Sequence, residues 1–250
     1  MPMQAVKLSA VIITYNEQRN IGRCIDALRG IADEVLVLDS FSQDDTEKIC
    51  RDKGARFEQH AFDGHIEQKN RALKMATYDH VLCLDADEAL SEELFQSISE
   101  VKNNGQHDGY EMNRLTNYCG QWIHHSGWYP DRKLRLFDRR KGRWGGQNPH
   151  DKVILDGPTQ RLHGDLLHYS YYTVEEHLER AQKYAHIAAK AMKARGKKGA
   201  WWRMGLSPVF KFFRNYVLKL GFLDGKAGFT ICRIAALETY WKYRELGKIT

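Results

Sequence analysis

Three apolar runs, each closing on a polar or acidic residue, constrain this chain most: Ala10-Val11-Ile12-Ile13-Thr14, Glu34-Val35-Leu36-Val37-Leu38-Asp39 and His80-Val81-Leu82-Cys83-Leu84-Asp85. Runs without polar alternation suit strands buried on both faces. Between the first two, Ile21, Cys24, Ile25 and Leu28 fall at i, i+3, i+4 and i+7, an amphipathic helix closing at Gly30. Strand, helix, strand makes a βαβ unit. Helices are also predicted from Asp45 to Lys53, from Ile66 to Ala76, and from Glu92 to Lys102 with Ser91 as N-cap. Alternating strands and helices predict a Rossmann-like α/β fold around a mostly parallel sheet.

After Asn104 the texture changes to short strand-like pieces, Gly109 to Thr116, Lys133 to Phe137 and Lys152 to Leu155, between loops rich in glycine, tryptophan and histidine. From Thr173 the pattern turns helical. Thr173 and Glu176 are spaced as a capping box, and Leu178, Ala181, Ala185 and Met192 share a face. A further helix is expected to start at Ser207, with Pro208 in its first position and Gly221 just past its end. The expected organisation is one α/β domain over 1–172, in two halves 1–104 and 105–172, followed by a helical appendage over 173–250.

The net charge of +6 is unevenly placed: residues 180–223 hold eleven lysines and arginines and no acid, leaving −5 on the remainder. That stretch also carries Trp201, Trp202, Phe210, Phe212, Phe213 and Tyr216. Basic and aromatic residues together suit an anionic membrane surface or a nucleic acid, against the plain alternatives of a solvated helix face or aromatics packed onto the catalytic domain. The run from Leu206 to Leu223 is interrupted by Lys211, Arg214 and Lys219. Each would cost about 2.5–3.5 kcal/mol at a bilayer centre, so the segment is expected to lie on a membrane surface, with cations such as Lys197, Lys198, Arg203 and Lys211 toward the lipid. Five scattered cysteines without a CxxC pair indicate neither a disulfide framework nor a cysteine zinc site, and suit a reducing cytoplasm. Leu8 to Ile13 is too short to span a membrane and runs into Asn16 and Glu17 without a small-residue cleavage site, so no signal peptide is read there. No G-x-G-x-x-G or G-x-x-x-x-G-K-[ST] occurs, which weighs against dinucleotide oxidoreductases and P-loop NTPases.

The strongest chemical signal is Asp85-Ala86-Asp87-Glu88 directly after the third strand. Carboxylates two residues apart at a strand's carboxyl end can hold a hard divalent cation with a diphosphate; the alternative is an acidic turn into the next helix. Two blocks accompany it: Thr14-Tyr15-Asn16-Glu17 after the first strand, and Asp39-Ser40-Phe41-Ser42-Gln43-Asp44-Asp45-Thr46 after the second. In these blocks the sequence resembles family 2 glycosyltransferases of the GT-A fold. With Gln68-Lys69-Asn70-Arg71, Trp128-Tyr129-Pro130-Asp131, Arg135-Leu136-Phe137, Pro149-His150-Asp151, His168-Tyr169-Ser170 and Gly221-Phe222-Leu223-Asp224-Gly225, it is similar to the bacterial lipopolysaccharide core β-1,4-glucosyltransferases over nearly its whole length.

The resemblance implies that Thr14, Tyr15 and Glu17 border uracil and ribose, and that Asp39 accepts a hydrogen bond from base or ribose unless it caps a helix. It implies that Asp87 ligates Mn²⁺ or Mg²⁺, with Asp85 near the ribose or sharing the metal. Lys69 approaches phosphate or is a solvated helix charge, as Arg71 is expected to be. His168 contacts metal or diphosphate, or is structural. An inverting transfer needs a base opposite the leaving group. Asp151 is the choice, where many of the subfamily carry glutamate, and Asp131 is the alternative. His124-His125 is no metal motif, because adjacent side chains diverge on strand and helix alike. Trp122, Trp128 and Trp144 either stack on sugars or border the core. The expected activity is metal-dependent, inverting transfer of a hexose, glucose from UDP-glucose, to the inner core of a lipid-linked oligosaccharide. It would act at the anionic cytoplasmic face of the inner membrane. Transfer to polyprenyl phosphate or another glycolipid is the enzymatic alternative. A nucleic-acid binder would leave the three acidic strand ends unexplained.

Overall fold

The computed structural model of the protein describes residues 6–147, 150–197 and 201–248; Pro149 and Lys198 lie outside them. The chain forms two compact units, Met1–Arg114 with Asp131–His168, and Leu115–Pro130 with Tyr169–Thr250.

In the first unit the elements run β1 (Leu8–Thr14), α1 (Ile21–Asp26), β2 (Glu34–Asp39), α2 (Thr46–Asp52), β3 (Arg56–Gln59), α3 (His65–Met75), β4 (His80–Asp85), β5 (Glu88–Leu90) and α4 (Glu92–Asn104). There follow β6 (Gly109–Tyr118), β7 (Gln121–Ile123), β8 (Asp131–Asp138), β9 (Gly142–Gln147), β10 (His150–Leu155) and β11 (Thr159–Tyr171), of which β7 and the far ends of β6 and β11 belong to the second unit. The sheet order is β3-β2-β1-β4-β8-β6-β11-β5, with β7 on β6, and β9 and β10 form a separate hairpin. The expected parallel sheet is β3-β2-β1-β4. It extends through antiparallel pairs, β4 with β8, β8 with β6, and β11 with β5.

Burial explains why the runs do not alternate in polarity. Ala10, Ile12, Val37, Leu82 and Leu84 face one layer with Ile21, Cys24, Leu28, Leu94 and Ile98. Val11, Leu38, Val81 and Cys83 face the other with Ala72, Leu73, Phe137 and Trp144. Both faces of the strands are therefore covered, and each successive side chain finds an apolar layer. Ser91 caps α4 as expected, accepting from the Leu94 N–H. Its hydroxyl also accepts from the Asp165 N–H, tying β11 to that helix start. There Gly164 takes a φ of +85°, and a Cβ would collide with the Leu94 backbone.

The second unit holds α5 (Val174–Ala194), α6 (Trp201–Phe213) and α7 (Gly225–Lys248), with α7 packed on both others. The Thr173–Glu176 capping box is formed. The expected start of a helix at Ser207 is corrected: α6 begins at Trp201 and carries Pro208 in its interior. Apolar helical spacing continues upstream of the proline, which costs the helix one backbone bond rather than its beginning. A π-helical turn, Arg214–Leu218, follows, and Leu220 rather than Gly221 takes the left-handed φ of 54°. Residues 115–130 join this unit although a boundary is expected only at 172. Tyr118 and Ile123 are buried with Ile231, and the rings of Trp128, Tyr171 and His177 gather around Tyr118.

Candidate active site

The parallel register aligns three strand ends. Thr14 lies beside Asp39 across β1 and β2, and Ile13 lies beside Asp85 across β1 and β4. The acidic blocks of the sequence thus meet at the carboxyl edge of the sheet, where the strand order reverses about β1 and open α/β sheets take their ligands.

On the β1–β2 side the two loops hold each other. The Asn16 N–H donates to the Ser42 hydroxyl, the Gln43 N–H to Asn16 Oδ1, the Glu17 N–H to Thr46 Oγ1, and the Gln18 N–H to Asp44 Oδ2. Asp39 is fully buried and accepts from the Ser42 hydroxyl and N–H and from Gln59 Nε2. It caps this turn and not helix α2, whose N-cap is Asp45. Glu17 binds Asn20 through Oε2. Thr14 Oγ1 is buried without a hydrogen-bond partner, whereas Tyr15 and Phe41 stand exposed.

On the β4 side a chain of alternating charges begins at Asp151. Lys69, nearly buried on α3, sits 2.8 Å from Asp151 Oδ2 and 3.0 Å from Asp85 Oδ1, and 4.2 Å above the Trp144 ring. Arg135 on β8 lies 2.8 Å from both Asp85 Oδ2 and Glu88 Oε1. Arg114 continues from Glu88 to Asp131, which also pairs with Lys133. Burial alone would raise the Asp85 pKa, but the charges of Arg135 and then Lys69 outweigh it and hold the carboxyl well below its ordinary range. For Arg135 burial opposes the charge, and Asp85 and Glu88 overcome it, raising its pKa. Lys69 is therefore an internal counter-ion and not a solvated helix charge, whereas Arg71 pairs at the surface with Asp63.

Glu88 also shapes the acidic turn, because its Oε2 accepts from the Asp85 N–H. The pairing of β5 with β11 sets His168 opposite Glu88. His168 Nε2 consequently lies 3.1 Å from Asp87 Oδ2, with both side chains partly open to solvent. A carboxylate oxygen and an imidazole nitrogen at one point are a donor set that fits Mn²⁺ or Mg²⁺ completed by oxygen ligands. Both oxygens of Asp85 are engaged by cations, and no group of three or more metal-ligating side chains occurs among the described residues. Asp87 and His168 thus present a carboxylate oxygen and an imidazole nitrogen to one point, and Asp85 is the anion of the charge chain.

Asp131 lies at the far end of that chain, whereas Asp151 shares Lys69 with Asp85. Trp144 is a buried platform beneath Lys69 and Arg135, and Trp128 belongs to the aromatic cluster of the second unit. The His124 and His125 N–H groups donate to Asp224. Sequence reasoning missed Glu88, Arg114 and Arg135 as site residues. The signal was present as charges inside otherwise apolar strand segments.

The model of the family described as glycosyl transferase family 2 matches residues 9–154. An uncharacterized glycosyltransferase of Rickettsia typhi is 28% identical over 256 residues, which cover 98% of this chain and 88% of that one. The lipopolysaccharide core biosynthesis glycosyltransferase LpsC of Rhizobium meliloti is 27% identical over 251 residues, covering 94% and 93%. Among solved structures, glucosyl-3-phosphoglycerate synthase from Mycobacterium tuberculosis aligns with 46% of this chain and 45% of its own at 26% identity and a TM-score of 0.37.

Proposed function

Because the chain belongs to glycosyl transferase family 2 and is a glycosyltransferase, we propose that it moves a hexose, glucose from UDP-glucose, with inversion onto the inner core of lipopolysaccharide. The observation that carries this is the meeting, at one sheet edge, of Asp39, the Asp87–His168 pair and an Asp151 carboxylate shared with Asp85 through Lys69. The likeness to LpsC supports the acceptor class.

Thr14, Tyr15, Glu17 and Asp39 border the nucleoside, and Asp39, buried with both oxygens engaged by Ser42 and Gln59, fixes the turn that base or ribose would meet. Asp87 and His168 would hold the divalent metal; when bound, it supplies positive charge to the departing diphosphate. Asp151 takes the acceptor hydroxyl's proton. Lys69 fixes that carboxylate through Oδ2, and Oδ1 has no partner among the described residues, leaving it for the proton. Trp144 beneath Lys69 keeps the ammonium between its two carboxylates.

The second unit supports work at a membrane surface. Trp202, Leu206, Val209, Phe210, Phe213 and Val217 follow helical spacing and are all exposed, while Asn215 is buried and Lys211 is turned inward, burial lowering its pKa. This apolar stripe faces outward, the reverse of a helix packed on a globular core. Such a stripe with cations nearby suits the headgroup boundary of an anionic leaflet, here the cytoplasmic face of the inner membrane. No helix among the described residues is long and apolar enough to cross a membrane.

The test is a panel of sugar nucleotides with truncated core acceptors, read by product mass and by the anomeric configuration of the new bond. The expected product is a single β-linked glucose from UDP-glucose. Transfer only from another donor, or only to polyprenyl phosphate, would replace the assignment. Asp87→Ala is expected to abolish metal-supported transfer and the gain in UDP affinity on adding Mn²⁺, with an unchanged circular dichroism spectrum. Full metal-supported turnover in that variant would remove Asp87 from the metal site.

A further inference from the structure

Beside Asp151 and Asp85 lies a cavity of about 530 Å³, walled by β6, β8, the β9–β10 hairpin and Lys69. Its volume is within the roughly 300–1,000 Å³ common for small-molecule sites. Its chemistry is unlike that of a neutral sugar cleft. Of its twelve lining residues six are lysine or arginine and three are acids, and aromatic surface is confined to Trp144.

Four of the six cations are engaged by the charge chain: Lys69, Arg114, Lys133 and Arg135 already face Asp151, Asp85, Glu88 or Asp131. The other two, Arg132 on β8 and Lys152 on β10, are exposed and have no carboxylate partner among the described residues. Lys152 lines the same cavity as Asp151, so an uncommitted charge shares that wall with the proposed base. A cavity with unpaired cations at its mouth and a fixed lattice of ion pairs behind them favours an anion over a neutral ligand. An arginine fork suits a phosphate or carboxylate in particular.

We propose that this cavity is an oxyanion subsite of the acceptor: Arg132 and Lys152 bind a phosphate or carboxylate borne by the acceptor near the hydroxyl that Asp151 deprotonates. The inference rests on the reading of Asp151 as base and narrows the substrate class to anionic saccharides. It explains why cations crowd the edge of a site that must also receive a nucleoside diphosphate. The acceptor charge and the donor charge are held by different residues, Arg132 and Lys152 against Asp87, His168 and their metal.

Three forms of a deacylated inner-core oligosaccharide separate the possible anions: untreated, phosphatase-treated and carboxyl-reduced. Wild-type protein should show a KM raised about tenfold for the form lacking the recognised anion, the usual size of one charged hydrogen bond. Arg132→Gln with Lys152→Gln should raise the KM for the untreated acceptor by at least as much, add nothing for the form lacking the anion, and leave the Kd of UDP with Mn²⁺ unchanged. Equal KM values for all three forms would overturn the proposal. So would a tenfold loss of UDP affinity in the double variant, which would give the cavity to the donor diphosphate. If none of the acceptors is glycosylated while UDP still binds, the acceptor reading has failed by itself. Calorimetry with inorganic phosphate then decides the subsite: saturable binding lost in the double variant sustains it, and no binding by the wild type ends it.

Discussion

Replacing Asp224 by alanine should destabilise the second unit by about 3 kcal/mol without touching a residue of the proposed catalytic site. Asp224 is nearly fully buried and accepts four hydrogen bonds, from the His124 N–H at 3.2 Å, the His125 N–H at 3.0 Å, His125 Nδ1 at 3.0 Å and the Ser126 hydroxyl at 3.3 Å. A hydrogen bond to a charged group contributes roughly 1.5–3 kcal/mol, so a simple sum would exceed 6 kcal/mol. The lower figure follows from exposure. His124 is exposed and His125 partly so, and both can turn to water, whereas Ser126 is buried and cannot. With a urea m-value of about 2 kcal/mol per molar, the midpoint should fall by about 1.5 M. Tryptophan fluorescence is the suitable probe, since five of the six tryptophans, all but Trp144, belong to this unit. Ser126→Ala removes the longest of the four bonds to Asp224, together with the hydroxyl's contact to Cys232, and should cost about 1 kcal/mol. A loss below about 1 kcal/mol for Asp224→Ala, or one equal to that of Ser126→Ala, would refute the view that this carboxylate fastens the 124–126 loop to the turn before α7.

Asp151→Asn should retain UDP binding and lower kcat by about 10²–10⁴-fold, the usual worth of a general base, whereas Asp131→Asn should have a small effect; the reverse ranking in steady-state kinetics would move the base to Asp131. Burial, aided by the charge of Arg180, lowers the His177 pKa from 6.5 to about 4, so stability is full above pH 6.5 and falls as the pH drops toward 4, because the unfolded chain binds the proton first. The loss should total about 3 kcal/mol, and His177→Phe should flatten urea midpoints across that window. Liposome sedimentation should show binding that needs anionic lipid, weakens with salt and disappears when Leu206, Val209 and Phe210 become serine; equal binding to neutral and anionic vesicles would contradict the electrostatic part of the membrane reading.

What the sequence disclosed depends on the range of the interaction. The three core strands and α2, α3 and α4 follow from spacing within a few residues, and structure and sequence agree on them to within a residue or two. The blocks at Thr14, Asp39 and Asp85 were legible for the same reason, since each immediately follows its strand. The 13-residue strand β11 was not legible, because its polarity reflects pairing with β5 and entry into a different unit at its far end. Lys69 was ambiguous as a helix charge, since its partners lie 16 and 82 residues away in sequence. Pro208 misled for a local reason: proline marks a helix start by lacking an N–H, yet an interior position survives where one bond is expendable.

The charge chain also bears on how metal and donor must cooperate. Buried ion pairs seldom add net stability over apolar packing, so Arg135 and Glu88 are better understood through what they fix. They keep Asp85 ionised with both oxygens occupied, and a cation binding there would have to displace Lys69 or Arg135 into a poorly solvated edge. The protein is therefore left with Asp87 and His168 as the proposed metal ligands, too few for a tight site in the absence of nucleotide. The remaining ligands must come from solvent or the donor diphosphate. Metal affinity and UDP affinity would then be linked, each raising the other by the same factor. Under the proposed function, a site so arranged would take its metal together with the donor and loosen it when UDP departs, with Lys69 held between Asp85 and Asp151 and Arg135 on Asp85.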